Sequence, residues 1–205
     1  TIYSDYQILQ EEVESLRREL QLFREVEKEN QRLSELLNLK KSFPKSSLVG
    51  HIITRQISHW FRWVILDIGR RDSVRDRMAL VTDDGVVGRI MDVGETISQA
   101  ILLTDPESRV SAMVQNSRAV GVVSGEGLRD RLRMSLIPMD SEIQIGDSII
   151  TSGLGGIYPK GLPIGQVTTV GTDRDGMHLF AYVKPVVDFN MLEEVLCIAY
   201  YPPDS

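Results

Sequence analysis

The sequence predicts a mainly β fold, two small six-stranded β-barrels preceded by a long N-terminal coiled-coil helix. Three observations predict it. The first forty residues carry apolar side chains at alternating steps of four and three, the spacing of a coiled-coil seam. From Leu48 onward the period falls to two, the period of a strand. Twelve short strand-like segments then follow one another between turn residues, as in barrels and sandwiches.

The totals bound the answer first. The chain has 205 residues and a formal net charge of −6. That balance excludes a general nucleic-acid binder, which needs a cationic face to displace phosphate counterions. The single cysteine, Cys197, excludes an internal disulfide and a cysteine-based metal site. No apolar run reaches about 18 residues, the length that spans a bilayer. The chain opens on Thr1 inside the repeat, so it reads as part of a longer protein.

The helix comes first. Its apolar positions are Ile2, Tyr6, Leu9, Val13, Leu16, Leu20 and Phe23, with Glu11, Glu12, Glu14, Arg17, Arg18 and Glu19 between them as a solvated face. Val26, Asn30, Leu33 and Leu37 follow. Two successive steps of three, from Leu20 to Val26, make a stammer that overwinds a coiled coil locally. Asn30 falls on the seam, where a buried amide sets register and strand number. No Gly or Pro interrupts the run before Pro44, so the helix extends over about 40 residues, roughly 60 Å. Two arrangements satisfy this pattern: a helix lying on its own domain, and a parallel dimer with Leu9, Val13, Leu16, Leu20, Phe23, Asn30, Leu33 and Leu37 at the interface. The narrow seam favours the dimer.

The strands are expected near 48–57, 61–67, 78–82, 86–93, 98–103, 109–115, 119–124, 131–137, 147–151, 164–171, 178–184 and 194–201. "FRWVILD" places Phe61, Trp63 and Ile65 on one face, and "RLRMSLI" places Leu132, Met134 and Leu136 on one face. Asp84-Gly85 marks a hairpin, because glycine adopts positive φ without penalty. Six strands close a small barrel. The expected partition is a helix over 1–43, a discontinuous first barrel over 47–76 and 143–203, and a second barrel inserted over 77–142.

The chemical candidates lie in "GDSIITSGLGGIYPKG", residues 146–161. Gly146-Asp147-Ser148 has the letters that frame a trypsin-like nucleophile, but Ile149 and Ile150 follow, where an oxyanion hole needs a tight glycine loop. Ser152 is no nucleophile elbow, because Ile150 and Leu154 stand where Gly-x-Ser-x-Gly has glycine. The dinucleotide fingerprint breaks at Tyr158, and Lys160 precedes Gly161 and Leu162 rather than Ser or Thr, so there is no P-loop. These glycines read as turns between strands, stiffened by Pro159 and Pro163. The histidines are His51, His59 and His178, without metal-ligand spacing. A serine hydrolase with Ser148 or Ser152 as nucleophile, His59 as base and Asp67, Asp105 or Asp147 as orienter is the alternative function, although His59 reads as a surface turn residue. "RQISHWFRW" offers Trp60, Phe61 and Trp63 either as core or as a partner-binding patch, core being favoured.

Taken in order, "NQRLSELLNL", "WFRWVILDIGRRDSVRDRMALV", "DDGVVGRI", "ILLTD", "VGVVSGEG" and "GDSIITSGLGGIYPKGLPIGQV" resemble the extracytoplasmic part of the MreC family of rod shape-determining proteins. The resemblance covers nearly the whole chain. Its most specific residues are Gly146, Asp147, Thr151, Ser152, Gly153, Gly156, Pro159, Gly161 and Gly165, which it implies are structural turns. The family usually has glycine where Ser73 and Arg77 stand. The resemblance implies a non-enzymatic scaffold without cofactor or metal, on the periplasmic face of the inner membrane. A single-pass anchor would precede the coiled coil and is absent from this chain. It also implies homodimers, filaments, and partnership with MreD, MreB, RodZ, RodA and a class B penicillin-binding transpeptidase in the complex that elongates the cell.

Overall fold

The structure is a computed structural model that describes residues 2–43, 47–127 and 130–200. Thr1 and residues 201–203 of the expected segments lie outside the described residues. Helix α1 runs over Ile2–Ser42, 41 residues, with Asp5 in its first turn and Lys40 and Lys41 in its last, the charges that suit each end of the helix dipole. Twelve strands follow among the described residues: β1 (Ser47–Ile57), β2 (Arg62–Leu66), β3 (Ala79–Val81), β4 (Val86–Val93), β5 (Ser98–Leu102), β6 (Val110–Val114), β7 (Val120–Gly125), β8 (Leu132–Pro138), β9 (Ser148–Thr151), β10 (Pro163–Thr172), β11 (His178–Pro185) and β12 (Glu194–Ile198).

They close two six-stranded barrels, one in the order β1-β12-β3-β4-β5-β2 and the other β10-β11-β8-β7-β6-β9. The expected partition is therefore corrected. β3, β4 and β5 belong to the first barrel, and β9, β10 and β11 to the second, so the inserted barrel is β6–β11. Local pairing decides this. Short connections keep β3, β4 and β5 beside one another, and β2 closes onto β5 through Trp63↔Ile101 and Val64↔Ala100. Of the last four strands only β12 returns, between β1 and β3. A count of strands carries no information about which of them pair.

All five residues of β12 are buried, because the barrel covers one face and α1 the other. Leu36 is buried against the core cluster, with Leu39 and Phe43 partly buried beside it. Arg32 holds the helix at the start of β12, with Nη2 2.7 Å from Glu193 and Nε 3.3 Å from Glu194. Residues 5–31 of α1 are exposed.

One face expectation holds and one changes. In β2 the alternation is kept, with Phe61, Trp63 and Ile65 on the less buried face and Arg62, Val64 and Leu66 buried. In β8, Leu132 and Met134 are buried but Leu136 is exposed. The register shifts between Leu179 and Ala181 opposite it, and Leu136 has a φ of 58°. A bulge of this kind turns one side chain to the opposite face, so strict alternation fails there. The turn before β3 closes with Ser73 and Arg77 at φ 69° and 67°, the conformation in which glycine alone is unstrained.

Candidate functional site

The region from Gly146 to Gly165 connects β8, β9 and β10. Gly146, Gly153, Gly156 and Gly161 all have positive φ, so each turns the chain where a side chain would be strained. The Asp147 carboxylate accepts from the Gln144 N–H at 3.0 Å, and the Asp147 N–H donates to the Gln144 carbonyl at 3.2 Å, a reciprocal pair that closes the turn. Thr151 is fully buried. Its hydroxyl donates to the Pro159 carbonyl at 2.5 Å and accepts from the Leu162 N–H at 2.9 Å. Pro159 and Gly161 thus sit in a loop folded back onto Thr151, whose N–H donates to the Leu162 carbonyl. Gly165 pairs with Ile149 and Pro185. The motif residues are brought together as one braced connection.

That loop reaches the other barrel. Tyr158 is buried, and burial pushes its phenol well above the usual range, with the positive charge of Arg89 on β4 opposing the shift. On the facing side, Gly85 of the β3–β4 connection touches Pro163. A side chain at Gly85 would overlap the Pro163 carbonyl oxygen. Close approach between barrels, as well as turn formation, explains the glycine.

A second junction was not legible from sequence. Arg62 is almost fully buried, with Nη1 2.6 Å from the Asp130 carboxylate and Nη2 donating to the Gly127 carbonyl at 3.0 Å. Asn190 also donates to Asp130, at 3.3 Å. Asp105, 3% exposed, accepts from the N–H of Arg62 at 2.6 Å and of Glu107 at 2.8 Å. Asp105 lies in the β5–β6 connection between the barrels and Asp130 in the β7–β8 connection of the second barrel, and together their carboxylates clasp the first residue of β2. The signal available in sequence was Arg62, a charge inside an apolar strand.

No serine-hydrolase constellation assembles among the described residues. Ser152 is buried and its hydroxyl accepts from the Leu154 N–H at 3.2 Å. The ring Nδ1 of His51 lies 3.0 Å from Asp67, and that of His178 2.7 Å from Asp175. His59 is exposed in the β1–β2 turn. Asp147 and Asp105 are engaged by the backbone donors named above. The hydrogen bond from His178 is the first cause holding the Asp175 carboxyl below its ordinary value. No group of His, Cys, Asp and Glu among the described residues could hold a metal ion.

What remains available is surface. Trp60 is 77% exposed and Phe61 60% exposed at the tip of the β1–β2 hairpin; the core reading of these two is corrected, since the hairpin extends beyond the barrel wall. Trp63 is half-buried beside Ile101. On α1, Leu9, Val13, Leu16, Leu20, Phe23 and Leu37 are exposed, as is Asn30, while Leu33 is half-buried. No helix among the described residues is long and apolar enough to cross a membrane.

Fold and site together define a double β-barrel protein carrying a long N-terminal helix, with braced turns around Thr151. The family model described as "Rod shape-determining protein MreC, barrel core" matches residues 52–199. The cell shape-determining protein MreC of Listeria monocytogenes is 33% identical over 198 residues, covering 94% of this chain and 67% of that protein. The chain belongs to the MreC family. It spans about half to two thirds of the length of the first curated relatives it matches. A solved chain described as MreC superposes with a TM-score of 0.75 at 24% identity, covering 84% of this chain and 98% of that one. A solved major periplasmic domain of the cell shape-determining filament MreC gives 0.66 at 23%, covering 76% and 96%. A chain from the complex between penicillin-binding protein PBP2 and MreC of Helicobacter pylori gives 0.61 at 18%, covering 75% and 98%.

Proposed function

We propose that this chain is a non-enzymatic dimeric scaffold on the periplasmic face of the bacterial inner membrane, organising and activating peptidoglycan synthesis during elongation. The observation that carries it is the stalk: a 41-residue helix whose apolar seam stays exposed while its last turns are fastened to the first barrel. Pairing two stalks would set two barrel pairs side by side and raise the local concentration of weakly held partners. The partner in closest reach is a class B penicillin-binding transpeptidase, supported by the complex of the Helicobacter relative. Trp60, Phe61 and the half-buried Trp63 are the proposed contact patch, since tryptophan is among the residues enriched at the few positions that dominate interface energies. MreD, MreB, RodZ and RodA complete the assembly that family membership implies, and filament formation and attachment through a preceding membrane anchor belong to the same proposal.

The test is retention of a transpeptidase. Residues 1–205 are immobilised, a detergent-solubilised membrane extract of the source bacterium is passed over them, and bound proteins are read with a fluorescent penicillin. Retention of one elongation-type penicillin-binding protein, lost without residues 45–205 and weakened by Trp60→Ala with Phe61→Ala, is expected. No retention by folded, dimeric bait would overturn a direct role of the barrels, and retention unchanged by the double variant would overturn the patch.

A further inference from the structure

A cavity of about 150 Å³ opens where α1, the β3–β4 connection and the β11–β12 connection meet. Leu36, Val187 and Leu192 form its apolar floor, and all three are buried. Glu35, Asp83, Asp84 and Asp188 stand on its rim and are exposed. Six of its lining residues are carboxylates and one is cationic. That one, Arg32, is already engaged by Glu193 and Glu194 at 2.7 and 3.3 Å. Asp188 accepts from the Asn190 N–H and Glu35 from the Gln31 amide, both neutral donors. Among the described residues, none of the four rim carboxylates is in an ion pair with a cation. Carboxylates gathered around a recess focus their field into it and attract positive charge.

A second observation points the same way. Thr82 lines the cavity, and its hydroxyl oxygen is buried and hydrogen-bonds to nothing. Buried hydroxyls are nearly always paired, so this one is an acceptor open to a donor that enters the cavity. The apolar floor adds a third requirement, since it gains only from a hydrocarbon surface laid on it.

Size and donor set choose the occupant. Small-molecule sites run to about 300–1,000 Å³, so this cavity takes one long side chain rather than a free ligand. No group of His, Cys, Asp and Glu among the described residues could hold a metal ion. Carboxylates spread around a rim suit the several N–H donors of an ammonium or guanidinium head. The floor suits the aliphatic stem that carries such a head. Met191, 72% exposed, extends the apolar surface past the rim, where the neighbours of an inserted residue would rest. Methionine adapts readily to a partner's shape.

We infer that this cavity docks a basic side chain, Lys or Arg, carried on a loop of a partner protein. Its stem lies on Leu36, Val187 and Leu192, and its head reaches Asp83, Asp84, Asp188 and the Thr82 hydroxyl. Glu35 and Leu36 belong to α1 and the other groups to the connections around the first barrel, so the docked residue touches helix and barrel together and fastens the base of the helix. The site is separate from the Trp60 and Phe61 patch of the β1–β2 turn and needs no second copy of the chain.

The experiment titrates the full, isotope-labelled 1–205 chain at low salt with three probes and follows the amide resonances of Thr82, Asp83, Asp84 and Leu192. The probes are a blocked Gly-Ser-Lys-Ser-Gly peptide, the same peptide with norleucine in place of its lysine, and cadaverine. The lysine peptide is expected to move these resonances and the norleucine peptide to leave them in place. Asp84→Asn with Asp188→Asn is expected to raise the dissociation constant of the lysine peptide about tenfold. Asn preserves the turn at Gly85 and the acceptor for the Asn190 N–H, and an unaltered spectrum elsewhere will show that the variant is folded. Added salt is expected to weaken binding more in the parent than in the variant. No shift with the lysine peptide, shifts confined to other residues, or equal shifts with norleucine would overturn the site. An unchanged dissociation constant in the folded variant would overturn the role of the rim carboxylates. Cadaverine bound as tightly as the peptide would overturn the assignment to a protein side chain.

Discussion

Replacing Asp105 by Ala tests whether the two barrels are held by the buried clasp. Asp105 accepts two backbone hydrogen bonds, from Arg62 at 2.6 Å and Glu107 at 2.8 Å. Arg62 is buried, so its N–H loses its acceptor with no water to replace it, a loss of about 1–3 kcal/mol. Glu107 is exposed, and its N–H can turn to solvent, so that bond contributes about 1 kcal/mol. The expected destabilisation is roughly 2–4 kcal/mol. Asp105→Asn keeps one acceptor but aims an amide donor at the other N–H, and should lose about half as much. Urea unfolding followed by tryptophan fluorescence is a suitable assay, because Trp60 and Trp63 flank Arg62 in sequence. Asp83→Ala, at an exposed position, is the control and should stay within about 0.5 kcal/mol of the parent. An Asp105→Ala chain as stable as that control would refute the clasp.

Leu16 and Leu20 are 57% and 50% exposed in the single chain. Covering the four leucines of a dimer is worth about 1 kcal/mol each, roughly 4 kcal/mol in all and about a thousandfold in dissociation constant. Leu16→Glu with Leu20→Glu should therefore sediment as a monomer with folded barrels, and an unchanged mass would contradict the dimeric reading. Ser73→Gly and Arg77→Gly relieve positive φ at residues that carry a Cβ, so each should raise stability by about 0.5–1 kcal/mol in the same urea assay; a loss of stability would show that these side chains hold the turn. Burial pushes the Cys197 thiol up to about 12. A raised folded value means its contribution to stability is complete below the unfolded thiol's range, about 8.5, and fades as the pH rises from there towards 12. The native thiol should stay inert to a disulfide reagent at pH 8 and react on unfolding; fast reaction of native protein would place it at the surface.

Much of this architecture was legible because it rests on local rules. The heptad steps from Ile2 to Phe23 define a helix without reference to anything else, and Pro44 marks the region of its end. Strand positions follow from alternation and from turn residues such as Asp84-Gly85. The broken templates at Ile149, Ile150 and Leu154 argued against a hydrolase, and the structure shows Thr151 and Ser152 occupied with backbone groups. Other features were not legible. Leu136 leaves the core through a bulge that forms only when β8 meets β11. Trp60 and Phe61 have the composition of core residues, yet they project from a hairpin tip.

The sequence by itself determined the identity of the elements, their order, the turns at the glycines and the charge pattern of the helix, since each depends on residues close together along the chain. Only the tertiary structure decided which strands share a barrel, how Arg62 and Asp105 join the barrels, and which helical stripe is already taken by Leu36 and Leu39. Those are contacts between residues far apart in sequence, selected by the closure of each barrel and by the burial of one surface on another. Pairing preferences written into single segments do not specify them.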